Sequence, residues 1–201
     1  MTLEFDLSAL PATEAYKLLS GAILPRPIAV ITTVSPEGVA NAAPFSFFGI
    51  LSHDPAILAV GIEPRADGTR KDTARNILET GVFTVHIPDV AMAGVVQAFA
   101  SPEAPEVDEI ALHGLGTVPG THVDCPRLID APVALECRFE QRLDLGAKAG
   151  AGRDILIGTV KAVFLREDAV NGRHHVDPER IDALGRLGGA TFTTTRDRFS
   201  L

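Results

Sequence analysis

The sequence predicts a mainly β fold, an antiparallel barrel with a few peripheral helices. Seven or eight runs of strand length follow one another, most of them joined by short turn sequences as hairpins are. The helical patterns between them are few, which favours a barrel over a doubly wound parallel sheet. No repeat and no linker interrupts the chain, so residues 1–201 read as one domain.

In chain order, Ala12–Ile23 is expected to form a short helix, with Tyr16, Leu19 and Ile23 at helical spacing and Thr13 as a candidate cap. Pro25 and Pro27 end it and hold Arg26 on stiff, extended backbone, well placed to aim its side chain. Pro27–Val34 is a strand rich in β-branched residues. The turn Ser35-Pro36-Glu37-Gly38 joins it to a second strand, Val39–Phe48. Pro44 argues for a sheet edge or a bulge there. Ser52-His53-Asp54-Pro55 turns into the apolar strand Ala56–Ile62. After a polar stretch, Lys71–Thr80 reads as a helix with Ala74, Ile77 and Leu78 inward and Gly81 as its stop. Val82–Ile87 is the next strand. Pro88–Ala100 has a helical pattern, and Ser101–Asp108 is an acidic loop, the best candidate for a mobile segment. Ala131–Leu145 and Ile155–Leu165 are strands joined as a loose hairpin, with Val133, Leu135, Cys137 and Phe139 sharing a face of the first. The tail carries a turn of helix after Asp177-Pro178, a glycine-rich turn and a threonine-rich strand.

The chain is 46% hydrophobic and 22% charged, enough apolar material for a core without disulfides. A net charge of −8 argues against non-specific binding to nucleic acid or to an anionic membrane. Cys125 and Cys137 are too few for a disulfide framework or a zinc site, and a reducing cytoplasmic compartment is the expectation. The start shows no signal-peptide pattern, and no apolar run approaches the ~18 residues that span a bilayer. GxSxG, HExxH and Walker A patterns are missing, and the glycines of Gly114–Gly120 have the wrong spacing for a dinucleotide fingerprint. His113, His122 and Cys125 match no common metal spacing, so no metal site is expected.

Two stretches carry chemistry. In Asn41–Ile50, NAAPFSFFGI, three of the ten phenylalanines lie within four positions. As one strand, Phe45 and Phe47 face one way, Ser46 and Phe48 the other. This is either core, with the Ser46 hydroxyl bonded to a carbonyl, or a wall for a flat aromatic cofactor. The second stretch is Thr69-Arg70-Lys71-Asp72-Thr73. Two cations at a helix start oppose its dipole, and a bound anion would offset that penalty. The alternative is a surface helix with solvated basic residues. Together the two stretches suit a ligand with a flat ring and a phosphate tail.

PRPIAVITTVSPEGVANAAPFSFFGILSHDPAILAVGI, then KDTARNILETGVFTVHI and GRLGGATF, resemble the flavin reductase-like proteins with the FMN-binding split barrel. The resemblance runs in order from Tyr16 to Phe192. It implies an antiparallel split barrel, FMN as cofactor with FAD as the alternative, and a homodimer with the flavin at its interface. It places the phosphate at Lys71, Asp72 and Thr73, with Arg65 and Arg70 as helpers. The ring and ribityl chain fall along Asn41, Ala43, Phe45, Ser46, Phe47 and Phe48, with Thr32 and Thr33 on the partner strand. Arg186, Gly188, Gly189 and Phe192 fall near the flavin. No catalytic side chain is implied beyond Ser46 as a donor to the flavin, since hydride passes from NAD(P)H to the cofactor and on to free flavin or a partner monooxygenase. Gly49, where Asn is expected, and Phe192, where an aromatic hydroxyl is common, each remove a side-chain hydrogen bond. An electron carrier without NAD(P)H activity and a split-barrel module that has lost its flavin are the other readings.

Overall fold

The computed structural model describes residues 1–144 and 153–200. Helix α1 (Ala12–Ala22) precedes strands β1 (Arg26–Pro27), β2 (Ala29–Val34), β3 (Ala40–Phe45), β4 (Phe48–His53) and β5 (Ala56–Ile62). Next come α2 (Asp72–Thr80), β6 (Val82–Ile87), α3 (Ala93–Ala98), α4 (Glu109–Leu112), β7 (Thr117–Val118) and β8 (Arg127–Leu128). The chain closes with β9 (Val133–Asp144), β10 (Asp154–Leu165), α5 (Pro178–Ile181), β11 (Gly185–Arg186) and β12 (Phe192–Thr193).

The expected mainly β, antiparallel architecture is present. Seven strands form one sheet in the order β3-β2-β6-β9-β10-β5-β4, and each neighbouring pair is antiparallel. The β2–β3 hairpin follows the expected turn, with Gly38 at φ 87°, a conformation glycine adopts without a Cβ clash. Pro44 sits on β3, an edge strand, where a missing N–H costs no ladder bond. The turn of the β9–β10 hairpin lies outside the described residues.

The expected single strand Val39–Phe48 is two strands. A bend at Ser46 and Phe47 ends β3 and starts β4, and these two strands lie at opposite edges of the sheet. The bend therefore carries the chain across the barrel seam, where the Gly61 N–H donates to the Phe47 carbonyl at 2.7 Å. The face assignment changes with it. Phe45 and Phe48 pack against the same interior core as Ile31, Leu58 and Phe83, while Phe47 is exposed beside Tyr16, ring centroids 6.2 Å apart.

Helix α2 plugs the barrel interior with Ala74 and Ile77. A second core, with Val30 and Ala42 from the outer face of β2 and β3, is covered by Val96 and Phe99 of the α3 segment and by Ile110 of α4. This double covering is why β2 is apolar on both faces. Helix α1 is different. Its expected apolar residues Tyr16, Leu19 and Ile23 are all exposed, and Pro11 rather than Thr13 stands at its cap position. Arg26 aims at this helix: its guanidinium donates to the carbonyls of Ser20 and Ile23 at the α1 end, and to Leu187 in the tail. A cation at a helix C-terminus meets the negative end of the dipole and its free carbonyls.

Candidate functional site

A cavity of about 650 Å³ opens between β3, the start of α2 and residues 99–109. Asn41, Ala43, Lys71, Asp72 and Thr73 form one side of its lining, and Phe99, Ser101, Glu103 and Glu109 contribute the other. Lys71 stands at the cap position of α2 on extended backbone, and no side chain caps the first turn. The first N–H groups of the helix are therefore left for an outside acceptor.

Lys71 is the cation available there. Arg65 and Arg75 both pair with Asp72. Lys71 has no carboxylate at ion-pair distance among the described residues, and its ammonium lies 5.5 Å from the centroid of the Phe45 ring. Burial pushes its pKa down, an effect the Glu63 carboxylate partly opposes. A bound anion would relieve that penalty on the charged form.

Asn41 is a bracket between elements. With its amide nitrogen toward Glu109 Oε2 (3.3 Å), its oxygen accepts from Thr73 Oγ1 (3.0 Å) and Thr33 Oγ1 (3.3 Å), and every contact is complementary. Asn76 Nδ2 donates to the same Thr33 hydroxyl at 3.1 Å. The start of α2, β3 and α4 are thus hydrogen-bonded into one wall.

A smaller cavity of about 180 Å³ adjoins the first, with Pro44 and Ala100 lining both. Tyr16, Phe45, Ser46, Arg186 and Phe192 line it. The Ser46 hydroxyl accepts from Arg26 Nε at 3.3 Å, which leaves its own proton free to donate. The Arg186 guanidinium stacks 4.4 Å from the Phe192 ring centroid. The two cavities make a groove running from Lys71 to Arg186. A third, apolar cavity of about 490 Å³ lies beyond the seam and holds Phe47, Phe48 and Gly49.

The expected site residues divide accordingly. Asn41, Ala43, Lys71, Asp72 and Thr73 share the first cavity, and Phe45, Ser46, Arg186 and Phe192 share the second. Phe47 and Phe48 follow the bend and line the third cavity, with Phe47 beside Tyr16 of the second. Thr32 and Thr33 are fully buried and line none of these cavities: Thr32 donates to the Pro126 carbonyl at 2.7 Å, and Thr33 is held by Asn41 and Asn76. Arg70 turns away from the groove and pairs with the buried Asp154 at 2.8 Å. Sequence reasoning missed Glu109 and the wall at 99–103, since a carboxylate opening a four-residue helix after an acidic loop reads as surface charge.

Burial pushes the Glu109 carboxyl up to about 7, helped by Asp72 and Glu103 and opposed by its bond from the Ala42 N–H and by Arg65. A carboxyl raised in the fold holds a proton that the unfolded chain releases near 4.5, so stability falls as pH rises through 4.5 to 7. His86 acts in the opposite sense. It is fully buried between the Val30 carbonyl and the Leu128 N–H, and burial pushes it down to about 4, so its contribution is lost as pH falls from 6.5. The two slopes oppose each other between pH 4.5 and 6.5. Glu109→Gln keeps an acceptor for Ala42 and removes one slope. Its melting temperature relative to the parent protein is expected to climb as pH rises from 5 to 8; parallel profiles would count against a raised Glu109.

The model of the flavin reductase like domain matches residues 20–179. An uncharacterised protein of Deinococcus radiodurans is 41% identical over 204 positions, covering 98% of this chain and 88% of that protein. The structure of nitrilotriacetate monooxygenase component B from Bacillus cereus superposes with a TM-score of 0.94 at 32% identity, covering 100% of this chain and 99% of that one. That of the 2-nitrobenzoate 2-nitroreductase of Pseudomonas fluorescens superposes with a TM-score of 0.89 at 30% identity, covering 99% and 95%.

Proposed function

The chain belongs to the flavin reductase-like family, and on that premise we propose that it is an oxidoreductase that binds FMN in the groove from Lys71 to Arg186 and takes its electrons from NAD(P)H. The observation that carries this reading is the uncapped start of α2 with Lys71, which makes no ion pair among the described residues, beside it, at one end of a groove whose other end is lined by Phe45, Ser46, Arg186 and Phe192. Lys71 and the first N–H groups of α2 would hold the phosphate, with Asp72 kept neutralised by Arg65 and Arg75. The flavin, when bound, supplies the hydride chemistry. The chain's own part is to bind and orient it, to offer the Ser46 proton as a hydrogen-bond donor, and to keep water out with Phe45 and Phe99.

Free flavin or a partner oxygenase is the proposed acceptor. The second fits a chain similar to one component of a monooxygenase. A homodimer is proposed from exposed apolar surface: Tyr16, Leu19 and Ile23 on α1, Phe47 beside them, and Ile50 and Leu51 on the edge strand β4. Free, buried Cys125 and Cys137 support a cytoplasmic setting, and among the described residues no helix is long and apolar enough to cross a membrane.

Gly49 and Phe192, which offer no side-chain donor, favour a second reading as an electron carrier that another protein reduces. The visible absorbance spectrum separates them. A yellow protein bleached by NADH or NADPH is expected. Yellow protein that neither nucleotide bleaches supports the carrier, and colourless protein that takes up no FMN overturns both.

A further inference from the structure

We infer that Glu109 is a specificity residue that reads the hydroxylated chain joining the ring of the ligand to its phosphate. This rests on the flavin reading of the groove and adds a residue that reading did not contain. Glu109 lines the same cavity as Lys71, Asp72 and Thr73. It is only 8% exposed, and it is held in place: Oε2 accepts the Ala42 N–H at 2.8 Å and the Asn41 amide at 3.3 Å. Among the described residues Oε1 has no hydrogen-bond partner, and the carboxyl group has no cation at ion-pair distance.

The bonds that tie Oε2 into the wall do not call for an acid. A glutamine would satisfy Ala42 equally well without a buried acid. Asp72, a structural carboxylate in the same cavity, has Arg65 and Arg75 against it, and Glu109 has no such pair. Glu109 lines the cavity, and its free oxygen has spare lone pairs to offer a donor there. The anion of the ligand belongs with Lys71 and the first N–H groups of α2, whereas the Glu109 oxygen is an acceptor and takes donors. Neutral hydroxyls are the remaining complement, and a carboxylate accepting from sugar hydroxyls is the pairing used in dinucleotide sites. The wall thus sorts its ligand, with the anion at Lys71 and hydroxyls at Glu109.

The test compares FMN with a flavin whose ribityl phosphate is replaced by an unhydroxylated pentyl phosphate, by fluorescence titration. The parent protein is expected to prefer FMN about tenfold. Glu109→Ala should bind the two flavins equally, with affinity for the pentyl compound unchanged. Glu109→Gln, which keeps the Ala42 bond, should fall between. Equal weakening of both flavins in Glu109→Ala, or an undiminished preference, overturns the assignment. A parent protein that binds neither flavin overturns the flavin reading itself.

Discussion

Lys71→Ala is expected to weaken FMN binding about 10- to 100-fold, since a hydrogen bond to a charged group contributes ~1.5–3 kcal/mol and each 1.4 kcal/mol is tenfold. The fold should scarcely notice. Lys71 makes no ion pair among the described residues, and the interaction its side chain loses is the ring contact with Phe45, at 5.5 Å. Such a contact contributes about 0.5–1 kcal/mol at a partly exposed site, and removing a desolvated ammonium offsets some of it. Arg65→Ala in the same cavity should weaken binding less, because Arg65 is already neutralised by Asp72. Raising salt should narrow the gap between parent and Lys71→Ala, as screening weakens the attraction that only the parent has. Unchanged affinity in Lys71→Ala would remove the phosphate assignment.

The residues legible in the sequence are those whose role is set by neighbours in the chain. The β2–β3 hairpin is announced by Ser35–Gly38, and α2 by its apolar spacing and Gly81 at φ 74°. The charge conflict at Lys71 is also local, since a helix start and a cation meet within one turn. What escapes depends on partners far along the chain. Ser46 and Phe47 look like two more residues of an alternating strand, because nothing local says that Phe47 must meet Gly61 across a seam. The resemblance places Thr32 and Thr33 beside the flavin, and their hydroxyls are engaged within the chain by Pro126, Asn41 and Asn76. Arg70 and Lys71 are adjacent cations in the sequence. Asp154, 84 residues away from Arg70, takes that one and leaves the other free. Arg26 is aimed, as its flanking prolines imply, and its targets are carbonyls of α1 and the tail and the Ser46 hydroxyl.

Glu136→Ala is the complementary case, expected to lower stability by about 3–5 kcal/mol while leaving the groove intact. The alternation of β9 puts Val133, Leu135 and Cys137 on one face and so turns Glu136 toward solvent. It is nevertheless 0% exposed, because residues 119–126 fold over that face. The carboxylate accepts the N–H groups of Thr121 at 2.9 Å and His122 at 2.6 Å, and Arg127 lies 3.0 Å from it. Arg127 is itself stacked 3.6 Å from the Phe164 ring centroid, so it cannot turn to water without giving up that contact. Removing Glu136 leaves two N–H groups and a guanidinium without their acceptor. The same segment brings Cys125 and Pro126 to Thr32, and the following strand gives the Leu128 N–H to His86, so the loss spreads to β2 and β6. Against a total stability of ~5–15 kcal/mol, that is about a fifth of the total or more. Urea unfolding should show a lower midpoint with an unchanged slope. Glu136→Gln should lose less, since one oxygen remains to accept. A loss below about 1 kcal/mol in Glu136→Ala would mean that the segment is held by its other contacts. FMN affinity measured before unfolding begins should match the parent. Lys71 and Glu136 are both charges withdrawn from water; Glu136 has its partners within the chain and its loss is read in stability, whereas Lys71 makes no ion pair among the described residues and its loss is read in binding.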